Sequence, residues 1–455
     1  MTRESYKDFE CILIANRGEI ALRALRSCKN LGLQTVSVHS EADKNAPHTW
    51  LADRTICIGP AQSNKSYLSA ETLLHVAKLS GCDAIYPGYG FLSEKADFAK
   101  NCEAEGIKFI GPSAEVIRIM GDKSKSREVA KQFGIPVVPG SETSFNSLHE
   151  AESIAVDVGF PILLKARSGG GGRGMRLVSN PMEFADSFSQ ATQEAEKAFG
   201  DGELVLERYL PRVRHIEVQV FGDGNGGVMD LGERDCTIQR RYQKLLEEAP
   251  SPTIKNDTRK KLIQIACDLT SGIKYEGAGT VEFIIDIETS EFFFIEMNTR
   301  IQVEHPVTEA LTGLDLVSLQ FRIAAGEQLP TFDPNNIPGG HAIEFRINAE
   351  DWKNDFVPSP GRLNKWRPPL GSKVRFDSAV YEGYDIPPFY DSMIGKLIVH
   401  GTDRDNAIRI ARDALDQFEV EGIATTIGLH RRLIGHSDLF HVVFFYLGKF
   451  SYSKS

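Results

Sequence analysis

Glu296-Met297-Asn298-Thr299-Arg300-Ile301-Gln302-Val303-Glu304-His305-Pro306 is the stretch around which this chain is organised. Read as extended backbone, it sends every second side chain to one face. Glu296, Asn298, Arg300, Gln302 and Glu304 then share a face, while Met297, Ile301 and Val303 point the other way. Just upstream, Thr280–Asp286 and Glu291–Met297 read as strands joined by Ile287-Glu288-Thr289-Ser290. A hairpin centred near Thr289 sets Glu282 opposite Glu296, and like charges so opposed are unfavourable unless something lies between them. Two carboxylates and the Asn298 amide are hard oxygen donors, which suit Mg²⁺, a cation that also bridges substrate phosphates. The run Phe292-Phe293-Phe294-Ile295 is too apolar for a solvated edge and reads as a strand buried on both faces.

Working outward, the N-terminal part opens as an α/β unit. Cys11–Ala15 is a short apolar strand, Ile20–Leu31 an amphipathic helix closed by Gly32, and Leu33–His39 the next strand. This order belongs to an open parallel sheet. This opening lacks G-x-G-x-x-G after its first strand, so a dinucleotide is not indicated there. Helix Ala70–Leu79, strand Ala84–Tyr86 and the loop Pro87-Gly88-Tyr89-Gly90-Phe91-Leu92-Ser93-Glu94 form a second unit, whose loop lies where open sheets bind ligands. Pro112 through Gly134 reads as helical, with Lys123, Lys125 and Arg127 near its middle, and Gly134–Gly140 as a linker.

Strand Pro161–Ala166 carries Lys165 and runs into Ser168-Gly169-Gly170-Gly171-Gly172-Arg173-Gly174. So many glycines let backbone N–H groups approach an anion closely. No Lys-Ser/Thr follows, so this is not a Walker loop; it reads as a flexible hairpin covering phosphate. Strands Glu203–Tyr209 and His215–Phe221 come next, then the segment Glu233–Lys244, in which Arg240, Arg241 and Lys244 also suit an anion. In strand Gly340–Ala349, Glu344, Arg346 and Asn348 alternate with Ile343, Phe345 and Ile347.

At 455 residues the chain is too long for one core. An apolar fraction of 41% and a charged fraction of 25% are ordinary for a soluble protein. A net charge of −10 gives no footprint for nucleic acid. The cysteines are scattered without metal spacing, and no apolar run reaches the length of a membrane span. The expectation is a cytoplasmic protein without nucleic-acid or membrane partners.

Lys165, the GGGGRG loop, RDCTIQRRYQK and EMNTRIQVEH, together with PGYGFLSE, INAED and YDSMIGKL, resemble the biotin carboxylases of the ATP-grasp superfamily. The similarity runs from Ile12 to about Gly422. It implies an α/β ATP-grasp fold with an open parallel unit over residues 1–111, a helical linker over 112–136 and a mobile lid over 137–209. Residues 210–455 would form the core and an antiparallel C-terminal part. It also implies that ATP phosphorylates bicarbonate to carboxyphosphate, and that the carboxyl group passes to biotin on a separate carrier protein. Such subunits serve acetyl-CoA carboxylase, and thereby fatty acid biosynthesis, or related carboxylases; they work with carboxyltransferase subunits and are commonly homodimers.

By the same resemblance, Lys123, Lys165, Gly171, Gly172, Glu207, Arg208, Tyr209, Leu210, His215 and Gln239 hold ATP. Tyr242, Glu282 and Glu296 also belong to the ATP site, and Glu282, Glu296 and Asn298 hold Mg²⁺ or Mn²⁺. Lys244, Arg300, Gln302 and Val303 bind bicarbonate, Glu304 deprotonates it, and Arg346 stabilises deprotonated biotin. Three features depart from the family pattern: Tyr242 stands where His is usual, Arg208 where Lys is usual, and the segment after Gly422 is altered. Another ATP-grasp ligase, or a nucleotide-binding regulatory subunit without turnover, are the alternative readings.

Overall fold

The computed structural model describes residues 9–167, 174–240, 243–331 and 338–436. Strands β1 (Cys11–Ile14), β2 (Gln34–His39), β3 (Arg54–Cys57), β4 (Ala84–Tyr86) and β5 (Lys108–Phe109) form a parallel sheet in the order β3-β2-β1-β4-β5. All four residues of β1 are buried, as a strand with helices on both faces requires. The order reverses between β1 and β4, which opens a crevice at their carboxyl ends. There the Asn16 amide donates to Pro87 O at 2.7 Å and Tyr89 O at 2.8 Å, tying the loop after β1 to the loop after β4.

The segment expected as one helix from Pro112 to Gly134 is two, Ala114–Gly121 and Lys123–Gln132. Asp122 breaks it: its backbone is extended, and its carboxylate caps the N–H groups of Ser124 and Lys125. Lys123 therefore opens a helix instead of lying in the middle of one.

Next, β6 (Ile162–Ala166), β7 (Met175–Val178) and β8 (Leu204–Arg208) make an antiparallel sheet in the order β7-β6-β8. Its inner face packs Leu164 and Leu206 against Ala151, Phe184 and Phe188 of helices Leu148–Val158 and Phe184–Phe199.

The largest element is an eight-stranded antiparallel sheet. It contains β9 (Val213–Asp223), β10 (Val228–Arg240), β11 (Gln243–Ala249), β12 (Glu276–Asp286), β13 (Phe292–Asn298), β14 (His341–Asn348), β15 (Val374–Ser378) and β16 (Met393–Gly401). Their order is β13-β12-β9-β10-β11-β14-β16-β15. The β12–β13 hairpin places Glu282 opposite Glu296, as its sequence predicts. The extended row expected to run on to Glu304 does not form. Strand β13 ends at Asn298, the chain turns, and helix His305–Thr312 begins with Glu304 at its N-cap and Pro306 in its first turn. Ile301 explains the turn: it is wholly buried among Ile14, Ile20 and Phe321 in the core of the N-terminal unit. Of the aromatic run, Phe293 and Phe294 are buried but Phe292 and Ile295 only half-buried, so this edge strand is less enclosed than its composition suggests. Among the described residues, no helix is long and apolar enough to cross a membrane.

Candidate active site

Register across the large sheet builds the site. Glu296 on β13 faces Glu282 on β12, Glu282 faces Glu217 on β9, and Glu217 faces Arg234 on β10. Three carboxylates in one lateral row would repel one another without cations. Lys244, entering from β11, supplies one. Its ammonium donates to Glu217 at 2.6 Å, Glu282 at 2.9 Å, Gln302 at 3.1 Å and Glu304 at 2.7 Å. Arg234, fully buried, is bound to the other oxygen of Glu217 and donates to Gln219 and Thr308.

The charges set one another's protonation. Burial opposes the Lys244 ammonium, but Glu217, Glu282 and Glu304 together hold its pKa well above the ordinary lysine range. Burial likewise opposes the Glu282 and Glu304 carboxylates. Lys244 and His215 nevertheless keep Glu282 well below the usual range, and Lys244 with Arg346 does the same for Glu304. His215, 2.7 Å from Glu282 through Nε2, has its pKa raised by that carboxylate against burial. Its Nδ1 meets the Gln239 amide at 2.8 Å.

Glu296 is the exception. No described residue donates a hydrogen bond to it, and burial together with Glu282 raises its pKa. A carboxylate under repulsion, beside the Asn298 amide that spans to Glu282 at 2.9 Å, is a donor set that accommodates a divalent cation. His215, Glu217 and Glu282 also come within 4.8 Å of one another, but Lys244 already neutralises that cluster.

Arg346 reaches Glu304 directly, while Arg300, on the same turn, points to other partners. Arg346 donates to Glu304 at 3.0 Å and to Glu247 at 2.6 Å. Arg300 lies 3.0 Å from Glu94 in the loop after β4 and donates to Asn298 at 2.9 Å. Behind this loop Lys396, wholly buried on β16, donates to Val303 O at 2.8 Å and pairs with Glu19 at 2.9 Å. The same Glu19 oxygen, Oε1, accepts the Tyr89 hydroxyl. The turn carrying residues 300–304 is thus clamped between the N-terminal unit and the C-terminal strands.

Family models match along the chain: biotin carboxylase N-terminal domain over residues 8–117, carbamoyl-phosphate synthase L chain ATP binding domain over 122–332, and biotin carboxylase C-terminal domain over 344–444. The biotin carboxylase of Nostoc sp. is 52% identical over 426 residues, which is 94% of this chain and 95% of that protein. The chain belongs to the biotin carboxylase family. A crystal structure of the Campylobacter jejuni biotin carboxylase–β,γ-ATP complex superposes with a TM-score of 0.90 at 46% identity, covering 96% of this chain and 98% of that one. The biotin carboxylase domain dimer of Hydrogenobacter thermophilus 2-oxoglutarate carboxylase, solved with MgADP, ADP and bicarbonate, gives a TM-score of 0.89 at 46% identity and covers 96% of each chain. The fold is therefore ATP-grasp, and the activity is that of an ATP-dependent ligase acting on biotin.

Within this biotin carboxylase, the residues expected at the site fall into three groups. Lys244, His215, Gln239, Glu282, Asn298, Arg300, Gln302, Glu304 and Arg346 form one connected network, with Glu296 at its edge and Val303 held through its carbonyl. A second group gathers at the β7-β6-β8 sheet: Lys165 and Arg127, the latter from helix Lys123–Gln132, both bind Glu207, Arg127 at 2.6 Å, and Tyr209 N donates to Pro161 O at 2.9 Å. Arg208 turns to Glu291 at 3.3 Å, Leu210 is half-buried, and Lys123 is exposed. Gly171, Gly172 and Tyr242 lie outside the described residues.

The sequence assigns no individual role to Glu217, Arg234, Glu94, Glu247 or Arg127. His215-x-Glu217-x-Gln219 is a polar alternation inside an apolar strand and was a usable signal for Glu217. Glu247 carried no such mark, because its partner Arg346 comes from a strand distant in the chain.

Proposed function

We propose that this biotin carboxylase phosphorylates bicarbonate with ATP to carboxyphosphate and transfers the carboxyl group to biotin presented by a carrier protein. The observation that carries the reading is the Lys244 ammonium, which binds Glu282 on the metal hairpin and Gln302 and Glu304 on the anion loop at once. Nucleotide phosphates and bicarbonate then meet on either side of one cation, as phosphoryl transfer requires. The MgADP and bicarbonate of the Hydrogenobacter thermophilus domain support that assignment.

Lys123, Lys165, Gly171, Gly172, Glu207 to Leu210, His215 and Gln239 would hold the nucleotide, with Tyr242 beside it. Residues 137–209 would act as a lid between the 1–111 unit with its 112–136 linker and the 210–455 core. Glu282, Glu296 and Asn298 would hold Mg²⁺ or Mn²⁺, which neutralises developing phosphate charge when bound. Lys244, Arg300, Gln302 and Val303 would orient bicarbonate, and Glu304 would take its proton. With two cations bonded to it, Glu304 is a weak base until incoming bicarbonate shares those contacts. Arg346, within reach of Glu304, would stabilise the oxygen of deprotonated biotin. The neighbour's dimer supports a homodimer for this chain, working with a biotin carrier and carboxyltransferase subunits in the cytoplasm.

The test is ATP hydrolysis that depends on both bicarbonate and free biotin. Turnover requiring both is expected; nucleotide binding without turnover would favour a regulatory subunit, and turnover with an amine in place of biotin another ATP-grasp ligase.

A further inference from the structure

Glu344 is unused by the chemistry above, yet it lies beside it. It sits on β14, two residues from Arg346 and so on the same face, directly across from Glu247 on β11. Both glutamates are wholly buried. Neither oxygen of Glu344 has a hydrogen-bond partner, and Glu247 Oε2 also has none.

The surrounding cations are committed elsewhere. Lys396, across β14 from Arg346, gives its hydrogen bonds to Val303 O and Glu19. Arg346 gives its own to Glu247 Oε1 and Glu304. A charged Glu344 would be a buried carboxylate facing a second one with no donor assigned to it, the costliest arrangement for such a group. A single proton resolves both orphaned sites.

We infer that Glu344 is a neutral carboxylic acid whose O–H donates to Glu247 Oε2, leaving Glu247 charged to orient Arg346. Electrostatics agrees. Burial, opposed by Lys396 and reinforced by Glu247, drives Glu344 well above the usual carboxylate range. Burial, opposed by Arg346 and reinforced by Glu304, pushes Glu247 up to about 7. The remaining charge near the pair is Lys244, which acts to lower Glu247. Glu344 is then a positioning residue, acting on the biotin-side guanidinium through Glu247. Its consequence for catalysis rests on the role proposed for Arg346, but its protonation does not.

Two measurements on the full-length enzyme separate these. In infrared difference spectra at pH 8, a protonated-carboxyl band that shifts in D₂O is expected in the wild type and absent from Glu344→Gln. In kinetics, Glu344→Leu, which cannot donate, should lower biotin carboxylation by roughly tenfold or more with the bicarbonate KM unchanged. Glu344→Gln, whose amide can donate to Glu247, should recover most of that loss. A band absent from the wild type, a band that survives in Glu344→Gln, or a Gln variant as impaired as the Leu variant would each overturn the inference. If Glu344→Gln does not fold, the band must shift in Glu247→Gln, and an unshifted band refutes the pairing. A band that behaves as expected, alongside equal loss of ATP hydrolysis and biotin carboxylation in Glu344→Leu, keeps the shared proton and removes the biotin-side role of Arg346.

Discussion

Replacing Glu304 by Gln changes a charge while keeping a shape. The side chain accepts from Lys244 at 2.7 Å and from Arg346 at 3.0 Å. A glutamine carbonyl can keep one of these bonds, but neither remains charge-assisted on both sides. A hydrogen bond to a charged group contributes about 1.5–3 kcal/mol, so losing the one that the amide nitrogen cannot accept costs about 2 kcal/mol. Because the Glu304 pKa is lowered from 4.5, its ionised form stabilises the native state above that pH, and the contribution is lost as acid protonates it. The variant should therefore be less stable at pH 7, and the gap in chemical denaturation should close as the pH falls below 4.5. None of the bonds to Glu304 comes from Lys165, His215 or Gln239, so MgATP affinity should hardly move. Carboxylation should fall by about 10²–10⁴, the usual contribution of a general base. Calorimetric MgATP titration and bicarbonate-dependent ATP hydrolysis measure the two halves. A loss of nucleotide affinity as large as the loss of rate would refute the argument and make Glu304 part of the nucleotide site.

Glu296→Ala should stabilise the free protein slightly, because it removes a carboxylate repelled by Glu282, while weakening Mg²⁺-dependent nucleotide binding; a destabilised variant with intact binding would contradict the metal assignment. Glu282→Gln should instead lower denaturation stability, since it gives up the charge that Lys244 and His215 bind. Arg346→Ala should suppress biotin carboxylation more than bicarbonate-dependent ATP hydrolysis, and equal loss in both assays would move Arg346 to the ATP side. Tyr242→His should tighten MgATP by around tenfold at pH 6, on the difference between a charged and a neutral hydrogen bond, with the gain fading towards pH 8.5; no gain at the acid end would make position 242 a packing site.

Legibility in the sequence followed the distance between partners. The Glu282–Glu296 pairing was readable because a short turn fixes the register of a hairpin, and the structure has that register. The row from Arg300 to Glu304 was misread as extended because the reason for the turn is Ile301, whose core is made by Ile14, Ile20 and Phe321. Alternation along one strand carries no information about a plug into another unit. Lys244 was recognisable as a cation near an anion site, but its role as a four-way hub depends on strands β9 and β12 lying beside each other. The break at Asp122 had a local signal, an acidic residue two positions before Ser124, that a reading for continuous helix overlooked.

The seam between β11 and β14 has a mechanical meaning. Leu246 pairs with Phe345, Glu247 with Glu344 and Glu248 with Ile343, so the strand bearing Arg346 is laced by backbone hydrogen bonds to the segment bearing Lys244. Lys244 and Arg346 therefore ride on one continuous plate and cannot drift apart as hinged bodies would. It also makes the C-terminal part exchangeable between relatives only in register. A graft that slipped by a single residue would turn Arg346 away from Glu304 and swing Ile343, Phe345 and Ile347 out of the core with it.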